Sequence, residues 1–378
     1  MRVPDRLSRH DNGRDARKAH SMMIGPVHRL KIDLFATGIA VTEAAVTRLS
    51  GVNGTRPLTL ADYASTSGIT LRLPGDVWVN APIHKHNPNF VTAPLHTLDV
   101  DGSGFVVRGD SGEVQAVPIP VPDYYAEANE DGDPYTSYAI THSDRVRISP
   151  VEGCAIACRF CDLPFEYRYR TKSARGLVDS VARALRDQAL PARHVLISGG
   201  LPRPADYQWL RDIWAAVPAA FPSIEVDIMM VPAPGLLVPK ELRAAGIAGL
   251  SINMEMWNQE LAAKLMPGKA RFGRERWLTL VEEAVSEFGL GRVRSLLLVG
   301  IESVEDTLRA VDALAERGCD PVLSPFRPDP STPMRNESPP SAEALVEVWE
   351  RSMEIVHRHG VRLGPRCVPC MHNTLTFP

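Results

Sequence analysis

An α/β fold built on a parallel sheet is predicted from three features of the sequence. From residue 145 onward, short apolar runs alternate with amphipathic helical stretches, the pattern of βα units. Glycines stand where those helices should stop, at Gly246, Gly289, Gly318 and Gly360. Upstream of 145 the texture differs, with short alternating runs and frequent turn residues.

The elements follow in order. Residues 1–28 are polar and rich in Arg and His, including Arg2, Arg6, Arg9, His10 and His20. They lack the apolar core of a signal peptide and read as a disordered lead. Residues 29–144 read as a small β-rich N-terminal domain or cover. Runs at 69–73 and 77–79 are its strands, and a hairpin spans 97–119 with turns at Asp101–Gly104 and Gly109–Gly112. The polar stretch 127–134 marks a boundary. Strands are then expected at 145–149, 194–198, 224–231, 249–254, 292–299 and 321–326. Helices are expected at 174–189, 204–217, 239–245, 274–288, 304–317 and 341–359, the last capped by Ser341. This gives six βα units, and 361–363 adds a closing strand.

Bulk properties exclude some functions. A net charge of −3 gives no basic footprint for nucleic acid. No apolar run approaches the ~18 residues that a membrane span requires, so no membrane partner is expected and the cytoplasm is the expected location. Six cysteines in such a chain point to metal or redox work rather than a disulfide framework.

Three of them form Cys154-x3-Cys158-x2-Cys161, directly after the strand expected at 145–149. Fe–S clusters are normally held by four thiolates, so three on one loop leave one iron free for another ligand. Zinc prefers four ligands in paired Cys motifs and suits this loop poorly, though zinc or plain packing is the competing reading. The motif, with Phe160 inside Cys-x-Phe-Cys, resembles the signature of the radical S-adenosylmethionine (SAM) enzymes. The resemblance covers roughly 145–330. It implies a partial, TIM-like (β/α)6 barrel over 145–330, a β-rich unit before it and a C-terminal extension, 331–378, closing it. The implied cofactors are a [4Fe-4S] cluster and SAM.

In α/β barrels, sites assemble from the loops at the carboxyl ends of the strands. Phe160 stands where the family places an aromatic near the adenine; a core aromatic is the alternative. Ser198-Gly199-Gly200 after the second strand resembles the Gly-Gly-Glu motif whose backbone meets the SAM amino group. Leu201 replaces the Glu, which removes a carboxylate role. Asn253-x-Glu255 after the fourth strand resembles an element of biotin- and lipoate-synthase-like enzymes, and so does Met266-Pro267-Gly268-Lys269. There the carboxylate would accept from the ribose hydroxyls, as acidic residues do in dinucleotide sites; a surface Glu is the plainer reading. Arg276 falls where those enzymes pair an Arg with the SAM carboxylate, a geometry that suits a guanidinium, but a solvated helix face explains it equally. Gly300 and Ile301 after the fifth strand resemble a region beside the adenine; Glu302 serves either there or as the cap of the following helix.

Cys319 precedes the sixth strand and reads as a buried structural thiol. Cys367-x2-Cys370 follows the last strand, is expected to point toward the site, and has His372 nearby. It would ligate a second Fe–S cluster, bind zinc, act as a thiol pair, or be inert. The resemblance implies reductive cleavage of SAM to a 5′-deoxyadenosyl radical that takes hydrogen from a small-metabolite substrate, by rearrangement, elimination or oxidation. The electron would come from a donor such as flavodoxin or ferredoxin. The alternatives are sulfur insertion from a cluster at Cys367 and Cys370, and a non-enzymatic Fe–S or zinc protein. No sequence feature identifies the substrate or the oligomeric state.

Overall fold

The computed structural model describes residues 24–54, 56–65, 68–87, 90, 93–110 and 112–378. Most of the expected lead lies outside these residues. Its last part, 26–28, belongs instead to a helix, Pro26–Thr37.

The larger sheet has seven strands in chain order: β1 (Ala139–His142), β2 (Arg145–Ile148), β3 (His194–Ile197), β4 (Val226–Met229), β5 (Gly249–Ser251), β6 (Val293–Val299) and β7 (Asp320–Pro325). β2 to β7 run parallel, and β1 is an antiparallel edge paired with β2. The sequence pattern assigns no element to β1. Its four residues are too short a run to show alternation, and the tight turn at Ser143 (φ +60°) returns the chain into β2. The sheet is an open, partial barrel rather than a closed one. Residues 361–363 form no closing strand.

Side-chain periodicity explains the layers. Along β6, Val293, Ser295, Leu297 and Val299 are buried, while Arg294, Leu296 and Leu298 on the other face are partly open. Helices connect the parallel strands: Ala174–Leu185, Tyr207–Ala220, Pro239–Ala244, Arg274–Phe288 and Val304–Glu316, with Ala342–His359 after β7. Three begin at serine caps: Ser173 accepts from the Gly176 amide, Ser303 from Asp306 and Ser341 from Ala344, each 3.1 Å. Two short helices, Gln259–Leu265 and Pro267–Ala270, form an insert after β5 to which the sequence pattern assigns no element.

Residues ahead of β1 build a second seven-stranded sheet. Gly68–Leu73 pairs antiparallel with Val77–Pro82. The expected hairpin over 97–119 is a three-strand meander, Thr97–Asp101, Gly104–Gly109 and Gly112–Pro118. Ser111, in its second turn, lies outside the described residues. One apolar core runs through both parts, from Leu30 to Leu375. The tail is drawn into it: buried Lys31 donates to the carbonyls of Met371 and Thr376 at 2.8 Å each.

Candidate active site at the carboxyl end of the sheet

The three-cysteine loop leaves β2 and is pinned by the end of β3. At Gly200 a Cβ would overlap the Gly153 carbonyl oxygen, so only glycine lets the two backbones approach. Leu201 then clamps the loop through its backbone: its amide donates to the Cys154 sulfur at 3.2 Å, and its carbonyl accepts from Ala155 at 2.9 Å. From the other side the Arg159 amide donates to the Leu265 carbonyl at 2.8 Å. A Cβ at Gly268 would stand 2.6 Å from the Ile156 side chain. The insert after β5 therefore packs directly on the loop. Cys158 is buried, and Cys154 and Cys161 are half-buried. Burial pushes the Cys158 thiol up to about 11 and the Cys161 thiol up to about 12. Metal uptake at this loop must therefore displace protons.

The loop opens onto a cavity of about 190 Å³. Around it stand the three cysteines with Phe160, Ser198, Gly199, Gly200, Asn253, Glu255 and Lys269. Glu255 takes a left-handed backbone (φ +69°), uncommon for a side chain of its size, and is held there by β6. Its amide donates to Leu296 and its carbonyl accepts from Leu298, both at 2.9 Å. The twist turns its carboxylate onto Lys269 Nζ at 2.7 Å, both side chains nearly buried. Burial opposes the Lys269 charge, yet Glu255 and the Cys158 and Cys161 sulfurs hold its pKa above the ordinary lysine range. Asn253 Oδ1 accepts from Ser251 Oγ at 2.7 Å and from the Leu296 amide at 3.2 Å, which fixes the side chain at the rim.

Other predicted positions fall around this cavity. Ile301 and Phe160 pack in one small apolar cluster with Cys158 and Met256. Gly300 (φ +101°) lies against the Pro340 ring. Arg276 is not brought to the cysteines: it is exposed, and its Nε donates to the Pro232 carbonyl at 2.8 Å. Glu302 does not cap the helix that follows it, since Ser303 does. Its carboxylate accepts from the Trp257 and Asn258 amides, both 2.9 Å at the closer oxygen. Lys269 and the backbone of Leu201 were not singled out as site groups. Lys269 was visible as the last residue of Met-Pro-Gly-Lys, whereas a backbone clamp leaves no side-chain signal.

A wider cleft of about 510 Å³ adjoins Cys161 and Gly199. It lies between the N-terminal part and the barrel, with Tyr63 and Thr70 on one side and Arg147, Ser149 and Lys172 on the other. Arg147 Nε is buried there without a hydrogen-bond partner. Burial pushes Lys172 down to about 8.

The tail cysteines correct an expectation. Cys367 and Cys370 do not point toward this end. Their sulfurs meet Asp144, just before β2, and His194, the first residue of β3. They therefore lie at the amino ends of the strands, about 16 Å, five residues of strand rise, from Gly199 at the cavity. The chain after β7 turns back to dock there instead of crossing the carboxyl end. His372 is not in the group; its Nδ1 sits 2.9 Å from the Pro369 carbonyl. Cys319 is fully buried, as expected of a structural thiol.

Comparison with known proteins gives a partial likeness. No family model matches the chain. A bacteriochlorophyllide c C-7(1)-hydroxylase of Chlorobaculum limnaeum is 25% identical over 172 residues, 43% of this chain. The match spans 43% of that relative's length. Among solved structures, the FeFe-hydrogenase maturase HydG from Carboxydothermus hydrogenoformans superposes with a TM-score of 0.45 at 18% identity. That superposition covers 59% of this chain and 53% of HydG. A radical SAM methyltransferase from Sphaerobacter thermophilus gives 0.46 at 17% identity, covering 75% and 82%. Among the described residues no helix is long and apolar enough to cross a membrane.

Proposed function

We propose that this chain is a radical SAM enzyme acting on a small acidic metabolite. One observation carries the reading. Three thiols on a single loop, held by the Gly200 contact and the Leu201 clamp, border a cavity lined by polar groups from the ends of β3 and β5. The donor set fits a [4Fe-4S] cluster held by Cys154, Cys158 and Cys161. It does not fit one zinc ion, which would draw the sulfurs to about 3.8 Å from each other. The sulfurs do not form a group whose ligand atoms all lie within 4.8 Å of one another.

When bound, the cluster and SAM supply one-electron cleavage of a sulfonium carbon–sulfur bond and, from it, a carbon radical that abstracts hydrogen. The residues around them bind and orient. Ser198, Gly199 and Gly200 offer backbone groups to the amino acid part of SAM. Asn253 and Glu255 face its polar half, with Lys269 balancing the carboxylate. Phe160 and Ile301 give the base an apolar wall. Gly300 lets that wall close against the Pro340 ring, while Arg276 supports the β4 end from outside. The adjoining cleft holds the substrate, whose acidic group meets Arg147 and Lys172 among tyrosines. Charge-assisted bonds in such a buried setting fix orientation as well as affinity. A flavodoxin or ferredoxin supplies the electron.

Asn253-x-Glu255 and the Met266–Lys269 stretch support a place near the biotin- and lipoate-synthase-like branch. Sulfur insertion is disfavoured, because Cys367 and Cys370 sit at the far end of the strands from the cavity. The hydroxylase likeness favours oxidation over rearrangement or elimination.

The test is anaerobic. Protein reconstituted with iron and sulfide should carry about four irons at the loop. It should then release 5′-deoxyadenosine from SAM once reduced. The variant with Cys154→Ala, Cys158→Ala and Cys161→Ala should release no more than a protein-free control. Undiminished release by that variant, or none by the parent, overturns the reading.

A further inference from the structure

The amino end of the barrel carries a constellation that the proposed chemistry does not use. The β2–β3 register sets Arg145 beside His194, so Asp144 comes next to the His194 ring. The left-handed turn at Ser143 aims Asp144 there. The tail brings the other two groups. Its Gly364 amide donates to the Pro321 carbonyl and its Leu375 amide to Leu323, both at 2.8 Å, which lays it along β7. Between these anchors, Cys367 and Cys370 share a tight turn closed by the Cys370 amide on the Cys367 carbonyl at 3.1 Å. Arg366 secures the turn through Asp320, at 2.6 Å and 3.1 Å.

Four donors converge as a result, all within 4.8 Å of one another. Cys367 Sγ stands 3.5 Å from Asp144 Oδ1 and 3.5 Å from His194 Nε2. Cys370 Sγ stands 4.0 Å and 3.4 Å from the same two atoms. His194 Nε2 and Asp144 Oδ1 are 3.5 Å apart. A tetrahedral zinc ion with ordinary Zn–S, Zn–N and Zn–O bonds sets its ligand atoms about 3.4–3.8 Å apart. Four of these five separations fall within that range, and the fifth, Cys370 Sγ to Asp144 Oδ1 at 4.0 Å, is slightly longer. They are too short for a cluster, whose cysteines bind different irons. Two thiolates, an imidazole and a carboxylate are also zinc's preferred donors.

We propose that Asp144, His194, Cys367 and Cys370 hold one structural zinc ion that fastens the C-terminal tail across the amino end of the barrel. The four ligands leave no open position, so the ion is closed to substrate. The two thiolates and the carboxylate exceed the charge of the ion by one, and the Arg145 and Arg294 guanidinium groups border the same pocket. The inference stands independently of the SAM reading, which uses none of these residues.

The full-length chain, grown with zinc and purified without chelators, should contain about one zinc per chain. The variant with the three loop cysteines changed to Ala should keep it. Cys370→Ala and His194→Ala should each lose it. Asp144→Asn, at a partly open position, should fold and surrender zinc to a chelator at least about tenfold more readily. Cobalt exchanged into the loop-cysteine variant should show tetrahedral d–d bands and a thiolate charge-transfer band, the latter diminished by Cys367→Ser. A parent chain without zinc overturns the proposal. So does a Cys367–Cys370 disulfide, extra iron and sulfide at this end, or zinc retained by all three single variants.

Discussion

The two ends of the parallel sheet use the same side chain, cysteine, in opposite ways. At the carboxyl end three thiols come from one loop, stand apart, and border empty volume. At the amino end two thiols join Asp144 and His194 at near-tetrahedral separations and enclose no cavity of substrate size. The surroundings differ in the same sense. The carboxyl end holds Glu255 in a left-handed backbone and Glu302 facing amides rather than a cation. The amino end pairs its charges: Asp227 with Arg294 at 2.8 Å, and Asp320 with Arg366 at 2.6 Å. Each end thus has one left-handed residue, Glu255 or Ser143, and at the carboxyl end Lys269 answers Glu255 while Glu302 is answered by amides alone.

The sharpest way to break this contrast is Gly200→Ala. The new methyl group meets the Gly153 carbonyl, and the backbone must give way. We expect a loss of about 3 kcal/mol of stability, with failed iron uptake and unchanged zinc. Iron and zinc analysis beside a thermal melt reads all three. Equal loss of both metals would mean that the ends are not separable.

Lys269→Met comes next. It leaves the Glu255 carboxylate nearly buried without its partner, and breaking such a pair costs about 3 kcal/mol when both groups are fully buried. Some solvent reaches this pair, so about 2 kcal/mol is expected after screening. A melt of the apoprotein measures it. Recovery in the Lys269→Met, Glu255→Gln double variant would identify the lone carboxylate as the cause.

How much of this was visible beforehand depends on the range of the interaction. The βα alternation and the helix stops are local, so the order of strands and helices could be read from periodicity and glycines. The cysteine loop was legible because its three cysteines lie within eight residues. The amino-end group was only half legible. Cys367 and Cys370 signal themselves, but Asp144 and His194 reach them over more than 170 residues of chain through strand register. A short antiparallel edge such as β1 carries too few residues for a pattern. The Arg276 contact with the Pro232 carbonyl spans more than 40 residues of chain and leaves no local signal.

The smallest expected effect concerns Glu302 and refines the claim that the carboxyl end keeps uncompensated charge. Burial pushes its carboxyl from 4.5 to about 7, against the pull of the Trp257 and Asn258 amides. A raised folded-state value means that the native protein holds this proton more tightly than the unfolded chain. The stabilisation from the neutral form is fully present below pH 4.5 and is lost as pH rises through 7. Glu302→Gln keeps an oxygen for the same two amides but cannot ionise. The variant should therefore lack this part of the decline between pH 4.5 and 7, and exceed the parent most clearly above pH 7. Chemical denaturation of parent and variant across that range measures the difference. Parallel curves would show that the carboxylate is already neutralised, and the two ends would then differ in ligand geometry but not in charge.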